Sequence, residues 1–453
     1  MTLQEENTLL REIIFKLEQR IVEQDKRIAE LEAEVRRLSI SKNSRNSSKP
    51  PSSDMFPPKR NQSLRESNGK KTGGQLGHKG STLEMSSFPN EVIKLVPEYC
   101  NHCGSGLSDV VEEYHSKRQV VDIPPITPII TEYRKYRKCC PNCGNHQETD
   151  FPAGVTNNIQ YGPGVEAAIA YFSVYQYLPY QRLATCLKDL FNLDISQGTI
   201  NNILNRMASK AMPVYKYIKE RVSESLNIGS DETSVKVTGD KWWIWVWQTP
   251  IYTYITSHAK RGSVAIESEF PDGLPNAILS TDRWAAQLKT PALAHQLCTA
   301  HLLRDLKYLI ELENNQWLTK MNQLIKDALD MKSKCSHYNK NDIQAIQIEQ
   351  RFDLLLQEHI PKETYPKSLI FQKAFVKHRD SIFVFLYNAE IQPDNNSSER
   401  AIRNVKVKQK VSGQFKTGQQ IFCILRSVID TCTKQSTDIM NSLTQIAHYQ
   451  TAE

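Results

Sequence analysis

The sequence predicts a multidomain protein whose largest part is mixed α/β, and three observations carry that prediction. A heptad-patterned helix opens the chain, two C-x-x-C pairs follow at residues 100–103 and 140–143, and beyond them apolar β-type runs bearing acids alternate with long helical stretches. The 453 residues are 39% hydrophobic and 24% charged, the composition of ordinary globular domains rather than of disordered or membrane chains. No apolar run approaches the roughly 20 residues of a membrane helix, and the polar start (Glu5, Glu6, Asn7) lacks a signal-peptide pattern. A cytoplasmic protein without a membrane partner is therefore expected.

Residues 1–40 read as a dimerisation helix. Leu3, Leu10, Leu17, Gln24, Leu31 and Leu38 fall seven apart, and Asn7, Ile14, Ile21, Ile28 and Val35 occupy the other seam position. β-Branched residues at a with Leu at d favour a parallel two-stranded coiled coil, and a polar Asn at an a position can set its register. In a parallel homodimer Glu6 would meet Arg11, Arg20 would meet Asp25 and Arg27 would meet Glu32, all opposite in sign. A single amphipathic helix packed on its own chain is the competing reading.

Residues 41–90 are rich in Ser, Pro, Gly and Lys and read as a flexible basic linker. Residues 41–80 hold nine Lys/Arg against two acids, which matches the net charge of +7 carried by the whole chain. Lys70, Lys71 and Lys79, beside Gly73, Gly74, Gly77 and Gly80, suit a polyanion such as DNA, because glycine lets the backbone approach a phosphate chain closely. A bare tether fits equally.

Residues 91–155 carry Cys100-Asn-His-Cys103 and Cys140-Pro-Asn-Cys143. Thiolate pairs at this spacing grip one side of a zinc ion, and two pairs complete a tetrahedral shell. Four thiolates leave no open position, so the expected role of Zn2+ is structural. The intervening RQVVDIPP and IITEYRKYRK are predicted to form the sheet of a long zinc ribbon. Cys139 adjoins the second pair and could replace Cys140; disulfides are the alternative where the compartment is oxidising.

Residues 156–222 are helical in period. Tyr180–Phe191 is predicted as one helix, Asn192–Ile195 as a turn and Ser196 as the N-cap of a second helix through Met207, the outline of a helix-turn-helix. Gln197, Thr199, Asn201, Asn202, Asn205 and Arg206 offer polar groups for phosphates or base edges. An ordinary helical hairpin has the same periodicity.

The stretch LNIGSDETSVKVTGDKWWIWVWQTP, residues 226–250, reads as a hairpin turning at Gly239-Asp240, with Asp231 on its first strand. Residues 276–281 form a short buried strand that ends in Asp282. In PDNNSSERAIRNVKVKQK, Asn395 to Ser398 cap a helix with Glu399 in its first turn. Carboxylates from two strands and a helix supply the hard oxygen ligands that two Mg2+ (or Mn2+) ions require for phosphoryl transfer. Asp394 is the rival third acid. Arg400, Arg403, Lys406, Lys408 and Lys410 follow Glu399 and are expected to face a phosphate backbone.

The order of zipper, Gly-rich basic linker, double C-x-x-C, helix-turn-helix, S-D-E-T strand, T-D with a following C-x-A-H-L-L-R-D helix, and D-N-N-x-x-E-R-A-I-R resembles the insertion-sequence-66 family of bacterial transposases over nearly the whole chain. The last two segments are its specific parts. The resemblance implies a ribonuclease-H-like core with an Asp-Asp-Glu triad, carried here onto Asp231, Asp282 and Glu399. It also implies element-end and target DNA as partners, a bacterial cytoplasmic setting and small accessory proteins of the same element. Asp282 and Glu399 are 117 positions apart, and the text between is largely helical, so residues 223–298 and 383–430 are expected to form the core, 299–382 an α-helical insertion and 431–453 a helical tail. Cys298, His301 and Arg304 fall on one helical face, which the resemblance places near the site; helix packing with one ion pair is the plain alternative. Thr299 stands where the family commonly has an aromatic residue. The expected activity is metal-dependent DNA strand cleavage and transfer, against the alternative of a catalytically inactive, transposase-derived dimeric regulator.

Overall fold

The computed structural model describes residues 3–39, 80, 82–334 and 342–449. Lys70, Lys71 and Lys79 lie outside the described residues, as does most of the basic linker. The described residues fall into two units, one drawn from Met1–Pro57, Ile130–Asp189 and Leu193–Glu453, the other from Pro58–Ile129 with Leu190–Asn192. Among the described residues no helix is long and apolar enough to cross a membrane.

In the smaller unit the chain runs from Thr82 without regular strands. Gln119 is tied to Ser86, accepting from its N–H at 2.7 Å and donating to its carbonyl at 2.8 Å. Of the predicted ribbon strands only the last two residues of the second, Arg137 and Lys138, pair in a strand: residues 118–136 carry none, and Val120, Ile129 and Ile130 are each more than 90% exposed. Their β-branched composition favours extended backbone, but strands persist where one face is buried against partners, and these side chains have none. The regular pairing belongs instead to the knuckle in the larger unit, where β1 (Arg137–Cys139) and β2 (His146–Glu148) run antiparallel.

The larger unit begins with α1 (Leu3–Ser39), whose stripe of Ile14, Leu17, Ile21, Ile28, Leu31 and Val35 is about half exposed throughout. After β2 come α2 (Pro163–Ala170), a π-helical turn at Tyr171–Tyr175, α3 (Tyr180–Phe191) and α4 (Gln197–Ser223). Ser196 caps α4 by accepting from the Thr199 N–H at 3.1 Å. Its second helix continues well past the predicted end at Met207, because Ala208, Ala211, Tyr215, Ile218 and Val222 prolong the buried stripe.

A five-stranded sheet forms the centre. Its strands are β3 (Asn227–Val237), β4 (Asp240–Gln248), β5 (Thr253–His258), β6 (Leu274–Thr281) and β7 (Ala292–Leu297), in spatial order β5-β4-β3-β6-β7. β3 pairs antiparallel with β4 and parallel with β6; β4 with β5 is antiparallel and β6 with β7 parallel. Val237 pairs with Asp240, so the reversal is Thr238-Gly239, one residue earlier than predicted. Their φ values of 51° and 92° are both left-handed, as a two-residue hairpin turn requires, and Gly239 rather than Asp240 tolerates that conformation. Trp245 and Trp247 stack with centroids 5.8 Å apart and are essentially inaccessible, so the tryptophan strand is core. Short helices α5 (Ser263–Glu269) and α6 (Ala285–Leu288) fill the crossovers around β6.

Beyond β7, helices α7 (Thr299–Glu313), α8 (Gln316–Lys334), α9 (Ile343–Gln357) and α10 (Pro366–Lys377) gather a core around Leu306, Trp317, Met321, Phe352 and Phe375 that reaches Ile278 of β6 and Leu297 of β7. Gln296 of β7 anchors its far end, donating to the Ile382 carbonyl at 2.9 Å and accepting from the Phe385 N–H at 3.0 Å. The chain then returns as α11 (Asn396–Ser412) against β3, α12 (Gln419–Lys434) across β5 and α13 (Ile439–His448) beside α2. The boundary placed between residues 430 and 431 falls inside α12, an unbroken helix whose residues from Phe422 to Thr431 are all buried.

Candidate active site

Sheet register brings the first two acids together. The parallel β3–β6 ladder pairs Gly229 with Ser280, and Asp231 and Asp282 each stand two residues beyond that pair, so Asp231 in the middle of β3 lies level with Asp282 just past the C-terminal end of β6. Asp231 Oδ1 accepts from the Glu232 N–H at 2.8 Å, and Asp282 Oδ1 accepts from the Trp284 N–H at 2.8 Å. The third acid arrives from α11: Glu399 Oε1 lies 3.2 Å from Arg304 Nη2 and 3.7 Å from His301 Nε2, both on the first turns of α7.

Asp231 feels this convergence. Burial, then the charges of Glu232 and Asp282 and, more weakly, Glu399, push its carboxyl well above the usual carboxylate range. Burial, followed by the Arg304 charge, holds His301 below the ordinary imidazole value, which keeps the ring neutral near pH 7. Among the described residues no three His, Cys, Asp or Glu side chains close into a ready metal cage. Like-charged carboxylates brought close repel one another, and a cation between them relieves that repulsion.

The other predicted residues divide by location. Cys298 is buried at the N-cap of α7; its N–H donates to the Thr281 carbonyl at 2.9 Å and its Sγ accepts from the Asn395 N–H at 3.2 Å. It therefore sits among the segments carrying Asp282 and Glu399 as a structural joint. Thr299, in the position of the family's aromatic residue, donates twice to the Pro393 carbonyl, each at 2.9 Å. Asp394, the rival acid, accepts from the Asn396 N–H at 3.0 Å and shapes the turn into α11.

Several basic and polar residues expected on DNA are turned inward. Lys408 is 8% exposed and donates to the Ser173 carbonyl at 3.0 Å, and burial lowers its ammonium to about 8. Lys406 donates to the Ser234 carbonyl at 2.7 Å. A basic run on a helix points in every direction: Lys406 reaches the sheet at Ser234, whereas Lys408, on the buried stripe, reaches the helical segment at Ser173. Arg206 stays exposed but is paired with Glu166, and Asn201 accepts from the Tyr180 hydroxyl at 3.4 Å. Thr199 is bound into the Ser196 cap. Gln197, Asn202, Arg400 and Arg403 remain exposed.

Sequence reasoning passed over Glu232. Its side chain is 3% exposed; one oxygen accepts from Arg261 Nη2 at 2.6 Å and Nε at 3.0 Å, the other from Gln287 at 2.6 Å. Arg261 is held between Trp243 and Trp284, 4.7 and 3.6 Å from their ring centres. Two adjacent acids in S-D-E-T were the available signal, but the partners lie 29 and 55 residues away in sequence.

The two cysteine pairs adopt the same local turn. The Cys100 N–H donates to the Ser105 carbonyl at 2.9 Å and the Cys140 N–H to the Asn145 carbonyl at 2.8 Å. Gly104 and Gly144 each return a 2.9 Å bond to the first cysteine's carbonyl, with φ of 74° and 73°. The pairing of Tyr99 with Gly106 is matched by that of Cys139 with His146, so Cys139 holds the position of Tyr99. The Ser105 hydroxyl and N–H draw the Cys103 thiol down to about 7, and backbone N–H groups from Cys143 and Asn142 lower Cys140.

A sheet on which acids of three elements converge, flanked by helices and joined to a cysteine-knuckle module, defines a multidomain α/β protein built around an acidic centre. Residues 158–421 match the model of the transposase IS66 family, and the chain belongs to that family. Residues 97–144 match the zinc-finger binding domain of transposase IS66, and residues 1–84 a family of unknown function, DUF6444. No curated protein matches the chain. The family makes this a transposase, a DNA-processing enzyme, with a zinc-finger domain and DNA as its partner.

Proposed function

We propose that the protein cuts and transfers DNA strands through a ribonuclease-H-like core in which Asp231, Asp282 and Glu399 hold divalent cations, Mg2+ or Mn2+. The observation that carries the reading is the register of β3 and β6, in which Asp231 lies level with Asp282 at the C-terminal end of β6. The sheet order, with a central β3 antiparallel to its hairpin partner and parallel to β6, supports the same core. The donor set fits the ions: three carboxylates are hard oxygen ligands, and the mutual repulsion felt by Asp231 is what a bound cation relieves. Bound there, the ions supply charge neutralisation for the attacking and leaving oxygens of a phosphodiester.

The chain's own groups do the rest. Arg304 holds the carboxylate of Glu399, with the His301 ring 3.7 Å from the same oxygen, and Arg400 and Arg403 offer exposed charge to phosphates beside it. Hydrolysis adds water across one phosphodiester and frees a 3′ hydroxyl; transfer then joins that hydroxyl to a target phosphorus and releases the target's 3′ oxygen. The test is a strand-cleavage assay on element-end DNA with and without Mg2+: Mg2+-dependent nicking at the element boundary is expected, and its absence under conditions of proven DNA binding would refute the reading. Arg304→Ala is expected to lower the cleavage rate about 10–100-fold, as loss of a group orienting a metal ligand does; an unchanged single-turnover rate would remove Arg304 from the site.

The α3–α4 pair, with its Ser196 cap and exposed Gln197 and Asn202, is assigned to DNA contact as a helix-turn-helix. The two knuckles are assigned to one structural Zn2+ held by Cys100, Cys103, Cys140 and Cys143, supported by their matching turns and by a zinc-finger model that spans both. The half-exposed apolar stripe of α1 is assigned to a parallel coiled coil with a second copy. Leu17→Asp with Leu31→Asp should convert a dimer to a 51.9 kDa monomer by light scattering; a wild-type protein already monomeric would refute the pairing.

A further inference from the structure

The three acids belong to separate segments, and only β3 and β6 are joined by strand pairing. α11 reaches the sheet after the whole helical block has intervened, so Glu399 needs its own fastening to the other two. We infer that Asn395, seated against Cys298 and Gly229, is the positioning residue that clasps the three acid-bearing segments together. The inference rests on the metal-dependent reading for its consequence, whereas the clasp is a matter of hydrogen bonds.

Asn395 is 4% exposed and reaches every segment that carries an acid. Its side-chain amide donates to the Ser230 carbonyl at 2.7 Å, the residue before Asp231. The parallel ladder with β6 ends at Gly229, so this carbonyl lies beyond the last ladder pair. Because a carbonyl only accepts, the NH2 end of Asn395 must face it. That leaves Oδ1 for the Ser398 hydroxyl, which donates at 2.6 Å. The Asn395 main-chain carbonyl accepts from the Ser398 and Glu399 N–H groups at 3.1 and 3.2 Å, opening α11. Its own N–H donates to Cys298 Sγ at 3.2 Å, and the Cys298 N–H bonds the Thr281 carbonyl immediately before Asp282. A single side chain and its backbone thus connect the residue before Asp231, the residue before Asp282 through Cys298, and Glu399 itself.

The joint also explains Gly229. A Cβ there would stand 2.5 Å from Asn395 Oδ1, 2.7 Å from Ser398 Oγ and 2.6 Å from Gln248 Nε2. Both Asn395 and Ser398 are buried and bonded to each other, so neither yields without opening the clasp. Gly229→Ala is therefore an independent wedge into the same joint.

The experiment uses purified full-length protein and two readouts: Mn2+ uptake followed by electron paramagnetic resonance of the free ion, and hydrogen exchange of peptides covering residues 228–232 and 395–400. Asn395→Ala and Gly229→Ala are expected to speed exchange at Ser398 and Glu399 and to weaken Mn2+ binding by about 10-fold or more. Asn395→Asp keeps the size but places a carboxylate oxygen against the Ser230 carbonyl. Simple charge would make it bind Mn2+ more tightly, whereas the clasp requires weaker binding. Wild-type exchange at Ser398 and Glu399 in Asn395→Ala, or Mn2+ binding by Asn395→Asp as tight as wild type, overturns the inference. If the wild-type protein itself takes up no Mn2+, the metal reading fails and exchange alone decides: acceleration confined to these peptides upholds the clasp, and no acceleration overturns it.

Discussion

Asp231→Asn is expected to reduce metal-dependent strand cleavage by about a thousandfold or more while leaving binding to element-end DNA intact. The change preserves shape and removes one anionic oxygen ligand from a position set by the β3–β6 register, so the loss falls on the chemistry rather than on folding. Two further readouts sharpen the expectation. Asp231 lies among the charges of Glu232, Asp282 and Glu399, so neutralising it relieves repulsion, and metal-free Asp231→Asn should melt at a higher temperature than the wild type. Mg2+ should raise the melting temperature of the wild type and have little effect on the variant, because an ion stabilises only the fold that binds it. A variant that cleaves normally, or that responds to Mg2+ as the wild type does, would sink the assignment of Asp231.

Zinc loss carries the second large effect. The purified protein is expected to contain one Zn2+ per chain, and Cys140→Ser to lose it while Cys139→Ser retains it. The reason is local geometry: Cys140 repeats the turn of Cys100 bond for bond, whereas Cys139 lies on β1 with its thiol donating to the Gly144 carbonyl at 3.3 Å. Apparent binding free energies for structural zinc are about 10–16 kcal/mol in small modules, so losing one ligand should unfold the finger locally. Elemental analysis paired with limited proteolysis between residues 97 and 144 reads both effects. Zinc retained by Cys140→Ser but lost from Cys139→Ser would reverse the ligand assignment.

Short-range patterns made much of this legible. The alternation of Val235 and Val237 with polar neighbours announced β3, and Ser196 ahead of a helical stripe announced the start of α4. The repeat hidden in the cysteine pairs was also present in the text: Gly104 and Gly144 follow their second cysteines directly, and that symmetry already favours Cys140 over Cys139. The ribbon strands failed because β-branched composition reports preference for extended backbone, not the presence of a partner strand. The basic run after Glu399 misled for a related reason. Helical spacing sends some of its charges toward neighbouring elements, and which ones depends on how α11 docks, so Lys406 and Lys408 bind carbonyls while Arg400 and Arg403 stay exposed.

The sequence by itself determined the local elements, the identity of the three acids as candidates and the family resemblance, because periodicity, turn chemistry and motif spacing act over a few residues. Only the tertiary structure decided that Asp231 and Asp282 lie level on adjacent strands, that Glu232 is held by Arg261 and Gln287, and that Asn395 fastens α11 to the sheet. Those relations join residues between 29 and 165 positions apart. Hydrogen bonds and charges act through space at a few ångströms, and chain separation carries no record of which distant groups folding will bring within that range.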